Sequence, residues 1–379
     1  MRALVKYAPG EGNVGIREMP VRQPEADEIL IKVKYCGICG TDLHIYADEF
    51  PNSPPIIMGH EYCGTIVAVG DDVADTWSVG DRVVGELHTG ACGVCHLCRA
   101  GKPHICDQKL ALGSKYHGAF AEYLTIPAWL AHALPEGVSW EVAGVTEPFA
   151  ITTHCLVERG DLPNKLSATS EVPGEVPGTG ADDGAESARH LEGLETASTV
   201  LISGSATMGL MATIWASRMG AGNIVVSGTD MDEELRFPLA RELGATHVVN
   251  VQKENLGAVV MEITDGRGAD AWIECSGSQA AIRSGLKLVK KTGTVVLIGL
   301  VGPETIAVPW NDLLYKELDL IGCFSSPPSS WQKALAVEGS EADKLRKLVT
   351  RIMPLEDWEE GFRMMRSGEA IKILVDMEA

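Results

Sequence analysis

The sequence predicts an α/β protein organised around a doubly wound parallel sheet, and three observations predict it. From about residue 199 the chain runs "STVLISGSATMGLMATIWASRMGAGNIVVSGTDMDEELRFPLARELGATHVVN". That is apolar strand, glycine-bearing turn, helix, strand and helix, the alternation of a βαβ unit. The turn "GSATMG" sits directly between the first strand and the first helix. At 379 residues the chain has room for two or three domains of about 150 residues each, and 45% hydrophobic content supplies a large core.

In the turn, Gly204, Ala206 and Gly209 occupy the three positions of a G-x-G-x-x-G fingerprint, with Thr207 and Met208 between them. Gly204 permits the tight turn and Gly209 lets helix and strand pack closely. The helix N-terminus offers its amides to a pyrophosphate. Ala206 departs from the usual middle glycine, so its methyl group crowds the pyrophosphate without blocking it. An acidic residue about 20 residues on holds a ribose 2′-hydroxyl in NAD binders. Here Gly228 stands near that point, followed by Asp230, Asp232, Glu233 and Glu234, with no arginine before Arg236. Glycine makes room for a 2′-phosphate, but the acids repel one, so NAD is expected over NADP, with Asp230 the candidate ribose contact. Further strands in "ADAWIECSG", "GTVVLIGLVG" and "LDLIGCF" complete six. Cys275 and Cys323 fall in these apolar runs and are expected in the core.

The formal net charge of -20, from 52 acidic against 32 basic residues, argues against nucleic acid and anionic membranes, both of which demand Lys and Arg. The start, "MRALVKYAPGEGN", lacks an apolar signal region, and no apolar run approaches the roughly 20 residues of a membrane helix. A cytoplasmic address is expected. There, clustered cysteines among the ten present are metal ligands more readily than disulfides.

"ACGVCHLCRAGKPHIC" places Cys92, Cys95, Cys98 and Cys106 at C-x2-C-x2-C-x7-C spacing, on what its glycines and charges suggest is a loop. Four thiolates fill every position of a tetrahedral zinc and close it to substrate, so this stretch is expected to be a clamp. A nucleic-acid-binding zinc ribbon would look alike locally, but the acidic chain argues against it.

Upstream, "YCGICGTDLHIY" and "PPIIMGHEYCGTIVAVGDDV" carry Cys39 and His60, and "GVTEPFAITTHC" adds Glu147. Cys39, His60 and a carboxylate form a mixed S/N/O set that suits zinc with one position open to water or substrate. Taken singly, Cys39 could equally be a core thiol, His60 a hydrogen-bonded core histidine, Thr41 a helix cap and His44 a surface residue.

The motifs "CGICGTDLH", "GHEYCGTIVAVG", "VGDRV", "GAFAEY", the four-cysteine lobe and "PLEDWEEGFRMMRSGEAIKILV" together resemble the zinc-dependent medium-chain alcohol dehydrogenases, nearest the polyol (sorbitol-like) and L-threonine dehydrogenase branch. The resemblance implies two zincs per chain. Cys39 and His60 would bind the catalytic ion with Glu61 as third ligand, and Glu147, where ethanol-type enzymes have a cysteine, would be an alternate ligand or bonded to the metal's water. Thr41 would take the substrate proton and His44 relay it to solvent through the cofactor ribose. Cys36 and Cys63 would pack. Ile298 and Gly299 would lie by the nicotinamide.

The implied architecture is a GroES-like, mostly β catalytic domain over 1–152 with the structural-zinc lobe at 91–106, a Rossmann domain over 153–324, and a return to the catalytic domain over 325–379, the site lying in the cleft. The implied reaction is hydride transfer from a secondary alcohol, a polyol or sugar alcohol first and L-threonine second, to NAD(P). A small-molecule partner and a homo-oligomer, tetramer or dimer, are expected. A non-catalytic structural member of the superfamily is the rival reading, against which both metal sets argue. Residues 163–197, rich in Gly, Pro, Ser and acids, interrupt the pattern and are expected to form a flexible loop.

Overall fold

The computed structural model describes residues 1–166, 198–302 and 305–379, so most of the 163–197 insert lies outside the described residues. The chain divides into two units, one of Met1–His154 with Phe324–Ala379, the other of Cys155–Cys323.

In the first unit the long strand Glu28–Gly37 is the organiser. Its alternating Ile29, Ile31 and Val33 are fully buried, the period-two pattern of a strand with one face on the core. It pairs antiparallel with Glu61–Val69, with Tyr123–Pro127 and with the late strand Lys372–Asp376. Arg82–Gly85, Ala131–Ala133 and Val349–Pro354 complete a seven-stranded sheet, beside a three-stranded one. The C-terminal segment therefore returns, with Leu374 opposite Gly37, to lie against the strand leading into Cys39. Trp358, Phe362, Ile373 and Val375 seal the same core.

The second unit holds six parallel strands. Numbered along the chain from Thr199–Ser203, their spatial order is 3-2-1-4-5-6, the doubly wound arrangement whose ligand crevice opens at the carboxyl ends of strands one and four. Val200, Leu201 and Ile202 are fully buried, as are Val225, Val226 and Trp272; strands covered on both faces read as continuous apolar runs.

One expectation fails here. Cys323 follows Asp319–Gly322, an edge strand whose residues are mostly exposed, and is itself only half-buried; Cys275 is half-buried as well. An apolar run does not reveal whether its strand is central or at an edge. The four-cysteine lobe is not wholly irregular either: His96–Arg99 forms one helical turn, capped by the Cys95 sulfur, and Pro103–Ile105 a 3-10 turn. No helix among the described residues is long and apolar enough to cross a membrane.

Candidate active site and metal centres

The lobe brings the four sulfurs of Cys92, Cys95, Cys98 and Cys106 within 4.8 Å of one another. Three of their separations are 4.0, 3.9 and 3.7 Å. A zinc with four bonds of 2.3 Å requires tetrahedron edges of about 3.8 Å, so the cage fits the ion it was expected to hold. Backbone amides point at the sulfurs: Cys95 N–H donates to Cys92 Sγ at 3.3 Å and Cys98 N–H to Cys95 Sγ at 3.4 Å. Amides of Val94 and Cys95 pull the Cys92 thiol down to about 6, toward the thiolate that a metal requires.

A second set gathers in the first unit. Cys39, His60 and Glu61 offer donor atoms that all lie within 4.8 Å of one another. Cys39 precedes the helix Gly40–Tyr46, where its N–H is received by Asp42 Oδ2 at 2.9 Å. His60 and Glu61 come from the entry to Glu61–Val69. Gly37 faces Glu61 across the sheet, and a Cβ there would lie 2.3 Å from Glu61 Oε2. A glycine is thus required for the carboxylate to fold over the neighbouring strand. Glu147 enters from the first turn of Thr146–Thr153 and is not within that three-donor group. It is close enough to feel it: burial first, and then the Glu61 charge, push its carboxyl up to about 7. Burial and the same charge raise the Cys39 thiol far above its ordinary value. A buried, electron-rich pocket of one sulfur, one imidazole and carboxylates, in which burial disfavours the anionic forms of Cys39 and Glu147, suits a divalent cation of the zinc type.

Thr41 Oγ1 lies 3.7 Å from Cys39 Sγ, half-buried at the wall of this pocket. His44, one turn on, is exposed, its Nδ1 2.8 Å from Glu49 Oε2. Cys36 and Cys63 are fully buried, Cys36 within the apolar core of the first unit.

Two participants escaped the sequence reading. Lys372 is buried with its Nζ at 2.6 Å and 2.9 Å from the two Glu61 oxygens and 3.0 Å from Ile38 O. The signal was a lysine inside the apolar run "AIKILV". Asp42 is buried with Oδ1 4.0 Å from His60 Nδ1, and its place three residues after Cys39 has the spacing of a capping box.

In the second unit, Gly204 adopts φ +95° and a Cβ on Gly209 would lie 1.8 Å from Gly204 O. The turn therefore admits no side chain at Gly209, and the helix Thr207–Arg218 starts at its mouth with Ala206 exposed, Thr207 buried and Met208 half-buried. Ile298 and Gly299 both donate backbone N–H to Glu274 O at 2.9 Å. A Cβ on Gly299 would meet Gly277 N at 2.4 Å. The loops at the ends of strands four and five thus lock together through paired glycines. Such a bare turn at a helix N-terminus fits a dinucleotide pyrophosphate. Asp230 is exposed and holds Asn250 Nδ2 at 2.7 Å and Lys253 Nζ at 3.3 Å. Asp232 turns inward, taking Thr229 N–H at 2.7 Å and Arg236 at 2.9 Å.

Comparison with known proteins agrees with this layout. Residues 25–136 match the alcohol dehydrogenase GroES-like domain and residues 207–338 the zinc-binding dehydrogenase domain. A sorbitol dehydrogenase of Halalkalibacterium halodurans is 31% identical over 99% of both chains. The chain belongs to the zinc-dependent medium-chain alcohol dehydrogenase family. An L-threonine 3-dehydrogenase of Yersinia pseudotuberculosis is 33% identical over the full length of both chains. A zinc-binding dehydrogenase of Sinorhizobium meliloti, solved bound to NADP, superposes with a TM-score of 0.80 at 28% identity, over 99% of this chain and 98% of that one. This dehydrogenase is accordingly an NAD(P)-linked oxidoreductase of the zinc type, with a GroES-like unit and a Rossmann unit.

Proposed function

We propose that this enzyme oxidises a secondary alcohol, a polyol or sugar alcohol, at a zinc held by Cys39, His60 and Glu61, with a second zinc in the Cys92, Cys95, Cys98 and Cys106 lobe. The observation that carries the reading is the three-donor group with the Thr41 hydroxyl 3.7 Å from its sulfur. When bound, the zinc would act as Lewis acid toward an alcohol oxygen and the nicotinamide would accept hydride from carbon. The chain's own groups do the rest. Thr41 takes the hydroxyl proton at the pocket wall, and His44, on the same face three residues along, passes it to solvent. Lys372 holds the Glu61 carboxylate in place, while Glu147, pushed up to about 7, shares the pocket as an alternate ligand or a partner of metal-bound water.

Gly204, Ala206, Thr207, Met208 and Gly209 would cradle the pyrophosphate, with Ile298 and Gly299 at the nicotinamide end. NAD is favoured over NADP because Asp230, Asp232 and Glu233 surround the end of the second strand, although Lys253 beside Asp230 offsets part of that charge. A polyol is favoured by the sorbitol dehydrogenase relative. L-threonine is the second reading, supported by the equally extensive threonine dehydrogenase match. We place the enzyme in the cytoplasm as a homo-oligomer; its ten unpaired cysteines suit a reducing compartment.

Initial rates of NAD and NADP reduction at 340 nm, with a polyol set in one series and L-threonine in another, test this. Turnover of polyols with NAD is expected. Turnover of threonine alone would move the enzyme to the amino-alcohol branch, and turnover only with NADP would overturn the ribose reading.

A further inference from the structure

Cys155 and Cys323 are the first and last residues of the second unit, the points where the chain enters and leaves it. They are 168 positions apart in sequence, yet Cys323 Sγ lies 3.9 Å from the Cys155 carbonyl oxygen, and each thiol shifts the ionisation of the other. Neither belongs to a donor group that could hold a metal among the described residues. The two are unlike. Cys155, on the π-helical segment His154–Arg159, is buried. Cys323, after the edge strand, is half-buried and so more exposed than Cys155. The hydrogen bond from Cys155, and then the charge of Arg159, hold the Cys323 thiol below its ordinary range, while burial raises Cys155. A more exposed thiol inclined to ionise beside a protonated one is the arrangement of an attacking and a resolving cysteine.

We propose that Cys155 and Cys323 are a reversible oxidation site, forming an intramolecular disulfide with a hydroperoxide as oxidant. The Cys323 thiolate attacks the O–O bond, forms an S–O bond to give the sulfenic acid and expels alkoxide, or hydroxide from hydrogen peroxide, which takes up the proton that Cys323 released on ionising. The Cys155 sulfur then gives up its proton, attacks Cys323 Sγ and displaces water. The peroxide is reduced by two electrons and the thiol pair oxidised by two, and an external thiol reverses the change. The bond ties both ends of the Rossmann unit into one covalent loop. A cross-link over so long a loop restricts the unfolded chain and stabilises the unit it closes. The site is independent of which alcohol the enzyme oxidises.

The test treats the metal-loaded, full-length enzyme with stoichiometric hydrogen peroxide, blocks remaining thiols, and maps peptides without reduction. A Cys155–Cys323 cross-linked peptide is expected, released by dithiothreitol, with a melting temperature for the second unit raised by about 5 °C or more. Cys275→Ser should keep both results and Cys323→Ser should lose both. Because the wild-type peptide map is decisive by itself, a variant that fails to fold does not remove the test. A Cys155–Cys275 peptide, Cys323 halted as a sulfinic acid, or oxidation confined to the four-cysteine lobe would each overturn the proposal.

Discussion

Glu338 offers a perturbation whose size follows from the structure. It is fully buried on the helix Pro328–Leu348, where it receives the Thr146 hydroxyl at 2.5 Å. Its other oxygen has no hydrogen-bond partner among the described residues. Burial lifts the carboxyl from 4.5 to about 7, against the opposing pull of the Thr146 bond. Between those values the folded chain keeps a proton that the unfolded chain has lost, so stability falls as pH rises through this window. Each pKa unit is worth about 1.4 kcal/mol, so the total loss is about 3 kcal/mol, complete above pH 7 and absent below 4.5. Glu338→Gln keeps a carbonyl for Thr146 but cannot ionise. Its unpaired amide costs about 1–3 kcal/mol at every pH, so the variant starts at a deficit and gains on the wild type as pH rises. Urea unfolding of the zinc-loaded proteins at pH 5, 6, 7 and 8, followed by tryptophan fluorescence, isolates the difference, since other titrations are common to both. The gap should shift by about 3 kcal/mol in favour of glutamine across the series. Thr146→Val, which removes the opposing bond, should move the wild-type loss to higher pH. Parallel stability profiles for wild type and Glu338→Gln would refute the reasoning.

Lys372→Met should destabilise the first unit by about 3–5 kcal/mol in urea unfolding of the metal-free protein, because without zinc it leaves the Glu61 carboxylate buried and unpaired. Cys39→Ser should abolish turnover while circular dichroism and melting stay near wild type, since serine keeps the size of the side chain and removes only the sulfur ligand; retained activity would exclude the metal role. Cys95→Ser should lower the zinc content from two ions to one per chain and reduce the melting temperature, as measured by metal analysis and calorimetry.

What the sequence reveals depends on how far apart the interacting residues lie. The βαβ alternation, the Gly204–Gly209 turn and the four-cysteine cage are each written within a few tens of residues, and periodicity or spacing exposes them directly. Long-range partners are different. Lys372 finds Glu61 across 311 residues and Glu338 finds Thr146 across 192. Nothing local marks either pair beyond a charged residue in an apolar setting. The nearness of Cys155 to Cys323 has the same character: it exists only because the doubly wound sheet brings the ends of its unit together. The sequence alone places Cys323 in the core because an edge strand and a central one can carry the same residues. The Cys39, His60 and Glu61 set lies between these extremes. Its motifs are local and specific, but that Glu61 joins Cys39 and His60 while Glu147 stays outside the three-donor group depends on how distant strands and helices meet.

The two metal sites should therefore answer metal removal differently. The lobe draws all four donors from 15 consecutive residues, 92 to 106, with only short helical turns to hold them, so the ion itself supplies much of the local order. The open site takes its donors from a helix start and a nine-residue strand, and braces Glu61 with a lysine from another strand of the same sheet. Those elements are fixed by the core, whether or not an ion is bound. A chelator titration that removes one zinc should thus have one of two signatures. Loss from the open site abolishes activity with little change in melting temperature, and adding zinc restores turnover at once. Loss from the lobe lowers the melting temperature and exposes residues 92–106 to proteolysis. If stripping both ions left the lobe resistant to protease, its order would come from packing, and the clamp would be no clamp.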